Sequence, residues 1–194
     1  MTEPRTPGPI VAPQAVLAPL TDAAIFLVVT VRPGSEPAVR ELLEDLSALQ
    51  RSVGFRLPAA QLSCVTGIGS ALWDRLFPGG SRPAELHNFR SWKGPRHAAP
   101  ATPGDLLFHL RAGQMDLCFE LASKIAERLR DVGEVVDETH GFKYFDERDL
   151  LGFVDGTENP VGAKAAETVL VGDEDPEFAG GSYVMVQKYV PALA

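Results

Sequence analysis

Residues 24–31 read Ala24-Ile25-Phe26-Leu27-Val28-Val29-Thr30-Val31, a nearly continuous apolar run rich in β-branched residues. Such a run predicts a short strand buried on both faces, and Pro33-Gly34 ends it. Ser35 is placed to cap a helix, with Glu36 and Pro37 in the first turn, where a missing N–H costs nothing. Val39, Leu42, Leu43, Leu46 and Val53 recur at helical spacing until Gly54. A second strand follows at 62–68. After a stretch of punctuation (Pro78-Gly79-Gly80, Pro83, Gly94-Pro95, Pro100, Pro103-Gly104), interrupted by a short helix at 71–77, the pattern starts again. Leu106-Leu107-Phe108-His109-Leu110 predicts a strand. Asp116 is placed to cap a helix with Cys118, Leu121, Ala122, Ile125, Leu129 and Val132 on one face, and 134–139 predicts a fourth strand.

Strand–helix–strand, twice over, is the split βαβ order of a ferredoxin-like α+β sandwich: an antiparallel sheet with two helices on one side. The expected division is an extended, proline-rich arm at 1–22, a first ferredoxin-like βαββαβ unit at 23–145, and the start of a second unit at 146–194. The remainder holds one strand candidate, 182–190, with Tyr183, Met185, Gln187 and Tyr189 on one face. A single strand cannot bury itself, so residues after about Asp173 are expected to be loosely held or covered by self-association.

Composition removes several function classes. With 194 residues and 45% hydrophobic content, the chain can build one core or one and part of another. The net charge of −8 and the lack of Lys/Arg clusters argue against a nucleic-acid partner. The longest apolar run, 23–29, is far short of the ~20 residues of a membrane span. The polar start has no apolar segment behind basic residues, as a secretion signal would. A soluble, cytoplasmic protein is expected, with Cys64 and Cys118 as buried, reduced thiols.

Weak motifs fall away. Gly67-Ile68-Gly69-Ser70-Ala71-Leu72 has Leu72 where a dinucleotide loop needs its third glycine, so a strand-to-helix turn is the better reading. Asp173-Glu174-Asp175 lacks the ligand alternation of a calcium loop and reads as a solvated turn. His87, His97, His109 and His140 share no zinc-ligand spacing, and no G-x-S-x-G elbow is present.

The informative stretch is Gly152-Phe153-Val154-Asp155-Gly156-Thr157-Glu158-Asn159-Pro160. Two carboxylates, a Thr and an Asn lie between glycines and a proline, immediately after Leu150-Leu151. Glycines allow close approach, so Gly152 and Gly156 would let this loop lie flat against a planar ligand. On residue types alone, a structural Asx-turn at Asp155-Gly156 competes with that reading.

This segment resembles the GxxDG motif of the dye-decolourising haem peroxidases, and in its longer form their bacterial B-type branch. Ala18-Pro19-Leu20, residues 24–29, Gly94-Pro95-Arg96-His97, residues 101–109 and residues 142–151 are similar to that family too, so the likeness runs from about 14 to 190. It implies a pair of ferredoxin-like units, with haem b lodged against the second. It implies that Asp155 is the distal acid above the iron. Cleaving the peroxide O–O bond heterolytically requires taking a proton from the inner oxygen and delivering one to the outer, and one carboxylate can do both. Free carboxylates ionise well below neutral pH, so activity is expected to favour acidic conditions. By the same resemblance Phe153, Val154, Gly156, Thr157, Glu158 and Asn159 line the haem edge.

Hydrogen peroxide, an organic electron donor, a homo-oligomer and, for some family members, an encapsulin shell are the implied partners. The family's proximal histidine and distal arginine lie downstream of the motif. The likeness fades after Val190, so no residue of this sequence is expected to ligate the metal. Two readings therefore stand: a haem peroxidase whose site a further segment completes, or a truncated, catalytically inactive ferredoxin-like oligomerisation or binding module that lacks the proximal haem ligand.

Overall fold

The structure, a computed structural model, describes residues 13–154 and 156–190. In chain order the elements are β1 (Ala23–Val31), α1 (Glu36–Gly54), β2 (Ser63–Ile68), α2 (Ser70–Leu76), β3 (Trp92–Lys93), β4 (Ala98–Ala99), β5 (Leu106–Ala112), α3 (Met115–Leu129), β6 (Gly133–Phe142) and α4 (Ala163–Val169). The main sheet runs β2-β5-β1-β6 with every neighbouring pair antiparallel. Sequential strands are thus interleaved, as the split βαβ order requires, and α1 and α3 share one face of the sheet. The fold is the expected ferredoxin-like α+β sandwich. Among the described residues no helix is long and apolar enough to cross a membrane.

The expectation for β1 needs correction. Ala23, Ile25, Leu27, Val29 and Val31 are buried, while Ala24, Phe26, Val28 and Thr30 are only half-buried. The reason is the single helical layer. Alternate side chains of a strand point to opposite faces, and only one face meets α1 and α3. There Ile25, Leu27 and Val29 join Val39, Leu42, Phe108, Leu110, Leu121 and Ile125 in one cluster. Burial pushes the thiols of Cys64 and Cys118 in this core up to about 11, so both stay protonated at neutral pH.

Other expectations shift at their edges. Ser35 stands at the N-cap position of α1, but its side chain makes no capping bond. Asp116 is not the cap of α3: Gln114 stands at the N-cap position, the helix begins at Met115, and the Asp116 carboxylate accepts the Leu117 N–H at 2.9 Å inside its first turn. It still places negative charge at the helix's positive end. The punctuated stretch contains a two-residue ribbon, β3 with β4. Residues 182–190 form no ladder. Instead the Lys188 ammonium meets Asp137 of β6 at 2.7 Å and the Glu85 N–H donates to the Tyr183 hydroxyl at 3.0 Å. Tyr183, Met185 and Tyr189 are exposed.

The arm is docked rather than simply extended over its described part. Gln14 brackets Thr66 with two hydrogen bonds, donating to its O at 2.9 Å and accepting from its N–H at 2.7 Å. Buried Arg111 donates to the carbonyls of Ala15 and Ala18. Residues 1–12 lie outside the described residues.

Arg111 shares the helix-free face with His109, whose ring stacks on Phe26 with centroids 4.2 Å apart. Burial, assisted by the Arg111 charge, lowers the His109 pKa from 6.5 to about 4. The folded imidazole is therefore neutral where the unfolded one takes up a proton. Stability should be full above pH 6.5 and decline as pH falls from 6.5 towards 4. In thermal melts across this window, His109→Phe should lose less than the wild type; equal losses would show that His109 is not responsible.

Candidate functional site

The loop after β6 is held by hydrogen bonds rather than by burial. Its approach is unusual: Asp146 and Glu147 take φ of +53° and +58°, a left-handed backbone that costs non-glycine residues energy. A Lys143–Glu147 ion pair at 2.7 Å and the bonds Glu147 N–H to Tyr144 O (3.0 Å) and Arg148 N–H to Phe145 O (3.2 Å) hold it there. Next, the Gly152 N–H donates to Asp149 O at 3.0 Å, closing a turn, and the Asp149 N–H donates to Phe153 O at 2.9 Å. Arg148 and Val154 form an antiparallel bridge.

Beyond it, Gly156, Thr157, Glu158 and Asn159 make a second turn, with the Asn159 N–H donating to Gly156 O at 3.0 Å. Gly156 has φ +77°, and a Cβ there would lie 2.9 Å from Asn159 Nδ2. Gly152, with φ +92°, has open space where a Cβ would stand. Each position asks for glycine on backbone grounds.

The structure thus places Phe153, Val154, Gly156, Thr157, Glu158 and Asn159 on one exposed loop. Asp155 lies outside the described residues. Phe153 is 66% exposed and Leu150 71%, with Leu151 and Val154 also exposed. Four exposed large apolar side chains thus stand beside two glycines and the polar Thr157, Glu158 and Asn159. That donor set fits the edge of a planar apolar ligand bearing polar substituents.

Sequence reasoning missed Arg148 and Asp149, although Asp at the first and Gly at the fourth position of a turn was a legible signal. Gly67 and Gly69, the dinucleotide candidates, are explained by packing. A Cβ would lie 2.9 Å from Val184 Cγ1 at Gly67 and 2.7 Å from Gly104 O at Gly69. His109 and His140 pair across β1 with Phe26 and Ile25, consecutive residues. They therefore point to opposite faces of the sheet and cannot meet on one ion. His140 instead contacts Glu138 at 2.6 Å.

The described residues form a ferredoxin-like α+β unit followed by an exposed loop shaped by Gly152 and Gly156. Residues 13–143 match the model of the Dyp-type peroxidase N-terminal region and residues 146–194 that of the C-terminal region. The chain belongs to the Dyp-type peroxidase family. It is 63% identical over 178 residues to a dye-decolorizing peroxidase of Rhodococcus erythropolis, covering 92% of this chain and 52% of that protein. It spans about half the length of the curated relatives it matches. The cryo-EM structure of the encapsulated DyP-type peroxidase from Mycobacterium smegmatis superposes with a TM-score of 0.84 at 62% identity, over 87% of this chain and 54% of that one. A Rhodococcus jostii RHA1 DypB variant in complex with haem gives 0.82 at 50% identity, over 87% and 55%.

Proposed function

We propose that this chain supplies the first ferredoxin-like unit (23–145) and the haem-edge loop (within 146–194) of a haem b peroxidase that reduces hydrogen peroxide and oxidises organic donors. The observation that carries the reading is the exposed apolar set Leu150, Leu151, Phe153 and Val154 beside Gly152 and Gly156, whose φ values of +92° and +77° favour glycine. Haem, when bound, supplies the iron at which peroxide is reduced and the electrons that the donor later replaces. Phe153 and Val154 would cover its apolar edge, while Thr157, Glu158 and Asn159 meet polar substituents. Asp155 would take the proton from the inner peroxide oxygen onto a carboxylate oxygen and return one to the outer oxygen. The metal-ligating histidine and the assisting arginine would come from a further segment. A cytoplasmic homo-oligomer is part of the proposal, and enclosure in an encapsulin shell is suggested by the encapsulated neighbour.

A haemin titration followed at the Soret band tests this. Joined to the remaining half of the Rhodococcus erythropolis relative, the chain should take up one haem with a histidine-ligated ferric spectrum and gain peroxidase activity. The 194-residue chain alone should bind weakly and lack that spectrum, because affinity and redox tuning come mostly from the axial ligand and its surroundings. Failure of the joined protein to bind haem would overturn the peroxidase reading in favour of an inactive binding module.

A further inference from the structure

An exposed loop gains little order from packing, so its shape must be fixed by hydrogen bonds. In the 148–159 loop these converge on one side chain. Asp149 Oδ1 accepts the Leu151 N–H at 2.9 Å and the Phe153 N–H at 2.8 Å. The backbone of the same residue adds the bonds to Gly152 and Phe153 described above, and Arg148 Nη1 donates to Gly152 O at 2.8 Å. The N–H groups of Leu151, Gly152 and Phe153 and the C=O groups of Gly152 and Phe153 are thereby tied to residues 148–149. Val154 is bridged back to Arg148, so the chain leaves this clamp directly ahead of Asp155 in sequence.

We infer that Asp149 is a positioning residue: its carboxylate presets the turn that carries Phe153 and Val154. This rests on the haem-edge reading of the loop, but Asp149 itself is spent on backbone N–H groups and acts through Phe153 and Val154. A carboxylate suits the task because charge-assisted bonds are stronger than neutral ones, and a single oxygen can accept two donors.

Two substitutions separate this role from general stabilisation. Asp149→Ala removes the acceptor, whereas Asp149→Asn keeps an oxygen in the same place. Amide hydrogen exchange in the 194-residue chain should quicken about tenfold or more at Leu151 and Phe153 in Asp149→Ala, and by under about threefold in Asp149→Asn. The thermal midpoint should be unchanged in both, since the loop buries no core residue. In the joined protein, haemin affinity should fall about tenfold in Asp149→Ala and be rescued in Asp149→Asn. Exchange equal to wild type in Asp149→Ala would overturn the positioning role, as would unaltered haem affinity. If the wild-type joined protein bound no haem, the peroxidase reading would fail instead, and the exchange contrast would still decide whether Asp149 orders the loop.

Discussion

Asp155→Asn, placed in the joined protein, is expected to slow its reaction with hydrogen peroxide by about 10²–10⁴-fold, the usual loss when a general acid–base group is removed. Asparagine keeps the size and shape of the side chain but cannot accept the peroxide proton, so binding of haem should survive while proton transfer does not. The measurement is a stopped-flow rate at several peroxide concentrations, with the Soret spectrum confirming equal haem content. A rate within about twofold of wild type would assign the proton transfer elsewhere, with the arginine of the further segment the next candidate. The prediction is independent of Asp149: that residue changes the presentation of the loop and is rescued by asparagine, whereas Asp155 should not be.

Phe108→Ala should cost about 3–5 kcal/mol of folding stability, the range for emptying a well-packed aromatic site. Phe108 is 0% exposed at the middle of β5, directly opposite Leu27 of β1 and Thr66 of β2. No neighbour on those two strands can move into the space without breaking the ladder. A loss of this size is a large share of the ~5–15 kcal/mol that holds a domain together. Phe119 on α3 is the contrasting position, 58% exposed; its replacement by alanine should change stability by less than about 0.5–1 kcal/mol. Urea unfolding midpoints decide the matter. Similar costs at the two positions would mean that the core is not centred on β5.

Much of this was legible in the residues. The spacing of Val39, Leu42 and Leu46, and of Cys118, Leu121 and Ile125, sets the buried stripe of each helix, and those residues are buried in the structure. The loop at 152–160 stood out because its glycines and polar residues directly follow Leu150-Leu151. The Asp149-Leu150-Leu151-Gly152 pattern makes a turn legible, but residue types alone do not say that the Asp149 carboxylate also accepts the Leu151 and Phe153 N–H groups.

Local periodicity determined where strands and helices form and which side chains share a face, because helical and extended backbones repeat every 3.6 and 2 residues. It could not say how many faces of a strand are covered. That depends on which layers pack against the sheet, so the apolar run of β1 looked buried on both sides, yet its Phe26 and Val28 face turns away from α1 and α3. Strand pairing is likewise non-local: the same extended tendency gives a central strand at 23–31 and an unpaired segment at 182–190. The clasp of Arg111 on Ala15 and Ala18, more than ninety residues away in sequence, was settled by the tertiary fold alone. A buried guanidinium must find acceptors, and only folding brings those carbonyls to it.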